Sequence, residues 1–186
     1  MKLISKDDHT IEDLAAIVSE KLKEHELDCI LVGGGCVSIY SQNNYQSYDL
    51  DYVSYDDIGL LTKALKEIGF EKEGKYFKHI HSQFFIEFVS PPVAIGEEPI
   101  HTFKNYKSLL GTIKMLTPTD CVKDRLASYY HWSDTQALEQ ALMVCKEMHP
   151  QINFKNIQSW SVKEGKLEKH KTFLKKYLEL RGPVHS

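Results

Sequence analysis

Asp49 and Asp51 stand two apart in Tyr48-Asp49-Leu50-Asp51-Tyr52-Val53, a stretch that alternates and is rich in strand formers. Residues two apart on a strand leave the same face, so the two carboxylates share one side and Leu50 and Tyr52 take the other. Carboxylates held that close repel unless a cation joins them. Oxygen-only ligation with open positions suits Mg²⁺, whose octahedron is completed by water and substrate phosphates. The plainer account of the pair is a solvated strand edge. Glu87 adds weight to the metal account, because it interrupts the otherwise apolar Phe84-Phe85-Ile86-Glu87-Phe88-Val89, where an isolated charge is costly to bury. A third carboxylate facing Asp49 and Asp51 would explain it. So would an acid at the wet end of a strand, or one paired with a nearby lysine.

The second chemical feature is Cys29-Ile30-Leu31-Val32 running into Gly33-Gly34-Gly35. A strand that ends in glycines and turns at once into a helix aims unpaired backbone N–H groups and the positive helix end at one point, which favours an anion such as a phosphate. Glycines at such a turn can also serve only to make the bend.

These residues need elements to hold them. Residues 10–25 place Ile11, Leu14, Ala15, Val18 and Leu22 on one stripe, with Asp8 or Thr10 as a cap, and predict an amphipathic helix. The run 29–32 predicts a buried strand, 36–40 a short helix, and 48–53 a second strand entered through a polar loop. Residues 57–70 predict a helix closed by Gly69. Residues 76–80 and 83–89 predict a hairpin with His81-Ser82 at its tip, ended by Pro91-Pro92. Residues 100–106 and 109–116 predict edge strands, although the second segment equally fits a helix in isolation. From Thr117-Pro118-Thr119-Asp120 onward the pattern is helical, with helices predicted from 117, over 134–148, 153–163 and 166–180. The fold class is therefore mixed α/β (α+β): a core over 1–116, then an all-helical region over 117–186 packed on it.

The chain has 186 residues, enough for one domain with a sizeable core. Apolar residues make up 42% and no run approaches the roughly 20 needed to span a bilayer, which argues against a membrane protein. Residues 1–8 lack an export leader, so the cytoplasm is the expected compartment. With 23 basic and 26 acidic residues, the net charge of -3 argues against a protein that coats nucleic acid. Cys29, Cys36, Cys121 and Cys145 form no Cys-x-x-Cys pair and read as buried free thiols.

Val32-Gly33-Gly34, then Asp49-Leu50-Asp51 between aromatic residues, then Glu87, resembles the signature of the polymerase-beta-like nucleotidyltransferase superfamily. Within it the chain is similar to small bacterial nucleotidyltransferases, including members of toxin-antitoxin and abortive-infection systems. The likeness extends over roughly residues 28–135. The gap from Gly34 to Asp49 is slightly long, and the third acid is Glu where the family more often has Asp. The resemblance implies a nucleotidyltransferase-fold mixed sheet flanked by helices, and metal-assisted transfer of a nucleoside monophosphate from a nucleoside triphosphate to an acceptor hydroxyl. It implies Asp49, Asp51 and Glu87 as catalytic ligands of Mg²⁺ or Mn²⁺, and Gly33, Gly34 and Lys123 as nucleotide-binding residues. Asp120-Cys121-Val122-Lys123 is similar to a family segment that supplies a lysine, and Asp134 to a downstream acidic position, although the basic residue expected before it is missing. The acceptor is left open among tRNA, a protein and an aminoglycoside-like small molecule.

Two other readings stand beside this one. A non-catalytic nucleotide-binding module, or half of a toxin-antitoxin pair with a cognate toxin or antitoxin as partner, would keep the same fold. Gly33-x-Gly35-x-x-Ser38 also approximates a dinucleotide fingerprint, although the acids begin a strand rather than end one. His79 and His81 read as exposed hairpin-tip residues rather than metal ligands, and Tyr129, Tyr130 and Trp132 as core packing rather than base-stacking groups.

Overall fold

The computed structural model describes residues 9–182. Residues 1–8, on which the leader reading and the Asp8 cap rest, lie outside them.

Helix α1 (Ile11–Glu24) starts where the sequence indicates, and Thr10 and Asp13 close a reciprocal capping box over its first turn. Its apolar stripe is buried under the sheet. Strand β1 (Ile30–Val32) leads directly into α2 (Gly33–Tyr40), so the helix takes in the glycines instead of beginning after them. Strand β2 (Asp49–Val53) follows, then α3 (Ile58–Lys66), whose first amides, of Gly59 and Leu60, donate to Asp57.

The next stretch is a three-stranded meander: β3 (Phe70–Glu73), β4 (Tyr76–His79) and β5 (Phe85–Val89). The β4–β5 hairpin is as expected. The β3 strand is not foreseen, because Phe70-Glu71-Lys72-Glu73 lies at the sheet edge with only Phe70 buried and so lacks apolar alternation. A small separate hairpin, β6 (Ala94–Ile95) and β7 (Glu98–Pro99), also has no sequence signal.

Strands β8 (Phe103–Lys107) and β9 (Thr112–Leu116) complete a seven-stranded sheet in the order β3-β4-β5-β2-β1-β9-β8. The expectation of two edge strands is corrected for the second. β9 runs parallel to β1, with Leu31 opposite Met115, and β8 covers its other side. Its alternation of buried Ile113 and Met115 with Lys114 reports one covered face, and periodicity says nothing about how many neighbours a strand has. The sheet is mixed: β1 is antiparallel to β2, while β2 is parallel to β5. That arrangement removes the dinucleotide-fold alternative, which needs its first two strands parallel.

Four helices follow: α4 (Pro118–Trp132), α5 (Thr135–Glu147), α6 (Phe154–Lys163) and α7 (Leu167–Arg181). Thr117, Asp134 and Asn153 cap α4, α5 and α6 through side-chain oxygens, each accepting from the third residue after it. Helices α4 and α5 pack on α2, and one continuous apolar core joins the sheet to the helical region. Trp160 is central to that join. It is fully buried, stacks on Tyr130 with ring centroids 5.4 Å apart, and donates its indole N–H to the Ile95 carbonyl of β6 at 3.3 Å. Tyr130 is core, as expected, whereas Trp132 is 78% exposed. His79 is buried against Phe70, not exposed at the hairpin tip, and only His81 lies at the surface. All four cysteines are buried free thiols. Among the described residues no helix is long and apolar enough to cross a membrane.

Candidate active site

Asp51 lies at the centre of the sheet, between two strands that arrive from different directions. Its backbone is opposite Val32 on β1 and opposite Glu87 on β5. Residues paired laterally across a sheet project to the same face, so Asp51 and Glu87 face one side together, with Asp49 two residues away on that side. Leu50 and Tyr52, on the opposite face, are completely buried, and the Tyr52 hydroxyl donates to the Ala15 carbonyl of α1 at 3.2 Å. Burying that face locks the register and turns the carboxylates outward.

Gly33 begins α2 directly over Asp51. Its φ is +67°, and a Cβ placed there would come within 2.6 Å of Asp51 Oδ2. Glycine is therefore required twice at this position, by backbone sign and by space. Gly34 is similarly close to Ser47, whose Oγ would lie 2.9 Å from an added Cβ. Ser47 ties the loop before β2 to both motifs: its amide donates to Ser38 Oγ on α2 at 2.8 Å, and its hydroxyl donates to Asp49 Oδ1 at 2.5 Å. The sequence reading passes over Ser47, and nothing in its local pattern marks it.

The gathering of the acids has an electrostatic consequence. Burial, then the charges of Asp49 and Glu87, push the Asp51 carboxyl up to about 6; Arg125 opposes the shift and Asp124 adds to it. Arg125 and Asp124 belong to α4 and are also absent from the sequence reading. The Arg125 guanidinium is largely buried and donates to Asp124 Oδ2 through Nε at 3.0 Å and Nη2 at 2.5 Å, and to Gln140 of α5 at 3.4 Å.

Lys123 is the predicted site residue that is not brought to the carboxylates. Its side chain is 1% exposed, and its ammonium lies 2.7 Å from Glu98 Oε1 and 3.2 Å from Asp120 Oδ1, on the Trp160 side of α4. Positions 123 and 125 are two apart on a helix, about 200° around its axis, so Arg125, whose charge acts on Asp51, leaves α4 on the side away from Lys123. Asp134 is engaged as the α5 cap, accepting from the Ala137 amide at 3.0 Å.

Glu87 combines two of the accounts its sequence allows. It faces Asp51, and it is also paired with a lysine: Lys75 Nζ lies 2.9 Å from its Oε1. Among the described residues no group of three or more His, Cys, Asp or Glu side chains is arranged to hold a metal ion as it stands. The donors nonetheless fit a hard divalent cation at Asp49 and Asp51: they are carboxylates only, the charge of Asp49 adds to the raised proton affinity of Asp51, and Gly33 leaves free the space beside Asp51 Oδ2 that a Cβ would fill. At Glu87 one oxygen, Oε1, is already engaged by Lys75.

No protein-family model matches the chain, and no curated protein matches it in sequence. Solved structures do. An antigenic nucleotidyltransferase-like protein from Paracoccidioides brasiliensis aligns with a TM-score of 0.61 and 15% identity, over 89% of this chain and 93% of that one. The structure of ANT(2")-Ia in complex with adenylyl-2"-tobramycin aligns with a TM-score of 0.52 and 12% identity, over 90% and 98%. A solution structure of the antibiotic-resistance factor ANT(2'')-Ia aligns with a TM-score of 0.50 and 13% identity, over 87% and 96%. At these identities the likeness is one of fold. The chain has the nucleotidyltransferase fold, with a mixed sheet flanked by helices and a helical C-terminal part.

Proposed function

We propose that this chain transfers a nucleoside monophosphate from a nucleoside triphosphate to an acceptor hydroxyl. The observation that carries the reading is the contact between the two motifs, with the Gly33 turn closing directly over Asp51 while Asp49 and Glu87 face the same side. Asp49 and Asp51 would hold Mg²⁺ or Mn²⁺. Such an ion, when bound, neutralises phosphate charge and activates an attacking oxygen. The residues of the chain do the rest. The amides at the start of α2, with Gly33 and Gly34 offering no side chain, favour phosphate oxygens. Ser47 orients Asp49. Arg125 brings positive charge to bear on Asp51, and Glu87 stands on the same face as the third acid. Lys123 is given a structural role, holding the β6–β7 hairpin to α4. Among tRNA, protein and small-molecule acceptors, the likeness to the structure with adenylyl-2"-tobramycin supports a small hydroxylated molecule.

The test is Mg²⁺-dependent pyrophosphate release from each nucleoside triphosphate, with tRNA, protein and aminoglycoside-like acceptors supplied in turn. Release in wild type that is lost in Asp49→Ala and Asp51→Ala is the expected result. Absence of nucleotide binding in wild type, with both variants behaving the same, removes the reading.

A second reading has its own observation. Lys75 on Glu87 is what a nucleotide-binding or toxin-antitoxin interaction module would show if the third acid had been turned to structural use. Nucleotide affinity without turnover against every acceptor selects it.

A further inference from the structure

Lys75 sits in the turn between β3 and β4, next to Gly74, whose φ of +62° reverses the chain. Its ammonium lies over the Tyr76 ring, 4.8 Å from the centroid, and 2.9 Å from Glu87 Oε1. The sheet register brings this about. Tyr76 is opposite Glu87 across the antiparallel β4–β5 pair, and Glu87 is opposite Asp51 across the parallel β5–β2 pair. Tyr76, Glu87 and Asp51 thus form one row on one face, with neighbouring strands about 4.8 Å apart. The aromatic ring at the end of that row is the platform across which the lysine reaches the acid.

The two partners differ in exposure. The Glu87 side chain is 18% exposed and the Lys75 side chain 62%. An ion pair with one end in water is weak, because solvent and salt compete for the ammonium. A divalent cation shared with Asp49 and Asp51 competes for the same carboxylate with more charge and more donors.

We propose that Lys75 is a resident counter-ion of Glu87, which a divalent cation must displace before Glu87 can join Asp49 and Asp51, so that Lys75 sets the cation affinity of the site. The inference deepens the nucleotidyl-transfer reading and rests on it. Lys75 is a positioning residue in this scheme, since it acts through Glu87.

The experiment is calorimetric titration of the full chain with Mn²⁺ alone, at low salt and without nucleotide, on wild type, Lys75→Gln, Glu87→Gln and the double variant. Lys75→Gln is expected to bind Mn²⁺ about two- to fivefold more tightly than wild type, as the worth of an exposed pair implies. That gain is expected to vanish in the Glu87→Gln background. Equal affinity in wild type and Lys75→Gln overturns the proposal, as does a gain that persists without Glu87, which would be a general charge effect. Absence of Mn²⁺ binding in both also overturns it. The two readings fail separately: unchanged Mn²⁺ affinity alongside Asp51-dependent pyrophosphate release removes only the role of Lys75, whereas the Mn²⁺ pattern without any transfer removes only the transfer.

Discussion

Gly33 and Asp51 are 18 positions apart in the chain, yet a single added methyl on Gly33 would lie 2.6 Å from the Asp51 carboxylate. The helix that presents amides and the strand that presents acids are fitted to each other at that point, and the fit has consequences for stability and for binding.

Gly33→Ala combines a left-handed backbone with a blocked space. An L-residue in that conformation costs roughly 1–2 kcal/mol. For a chain of this size the loss corresponds to a Tm lowered by about 2–8 °C. Nucleotide and Mn²⁺ affinity should fall further than stability does, since Asp51 must move aside. Thermal melts with a parallel Mn²⁺ titration check both.

The raised pKa of Asp51 makes a prediction about pH. A carboxyl whose folded value, about 6, exceeds its ordinary 3.8 favours the folded state in its neutral form. Its contribution is full below the ordinary value and is lost as pH rises through about 6. Asp51→Asn, which stays neutral, should therefore be more stable than wild type at pH 8 by on the order of 2 kcal/mol, with little difference at pH 4. Mg²⁺ at pH 8 should stabilise wild type and leave the variant unchanged. Urea midpoints at the two pH values, with and without the ion, decide it; a difference that does not grow with pH would show that burial and the neighbouring acids do not raise the Asp51 carboxyl.

Lys123 and Arg125 should separate cleanly. Lys123→Met leaves Glu98 and Asp120 without their shared cation and should cost about 3 kcal/mol, the lower part of the range for a broken buried pair because Glu98 is partly exposed. Nucleotide affinity of the folded variant should be unchanged. Arg125→Gln removes the cation that draws the Asp51 pKa down, so the pH midpoint for Asp51 should move upward and nucleotide affinity should fall. Fluorescent-nucleotide titration of both variants is the comparison; weaker binding in Lys123→Met alone would return the phosphate-binding role to Lys123.

Ser47→Ala removes the 2.5 Å hydrogen bond that orients Asp49. A bond to a charged group is worth about 1.5–3 kcal/mol when shielded, and somewhat less here because Asp49, unlike the buried Ser47, is partly exposed. Loss of about 1 kcal/mol of stability is expected, with weaker Mn²⁺ binding measured by titration.

How far the chain alone reveals this arrangement depends on the range of the interaction concerned. Asp49, Asp51 and the glycine turn were legible because strand alternation and helix-start chemistry are local. The same local rules place α1, with Thr10 among its candidate caps, and the starts of α4, α5 and α6 near 117, 134 and 153. Glu87 was visible as a charge in an apolar strand, and two of its three sequence accounts are present, since it faces Asp51 and also holds Lys75. Tertiary structure alone decided that β9 is an inner strand, that Lys123 turns toward Glu98 while the charge of Arg125 acts on Asp51, and that Ser47 and Lys75 attend the acids. Each of these depends on strand order, on helix rotation or on a turn folding back over a neighbour. Periodicity records which face of an element is covered, and leaves open what covers it.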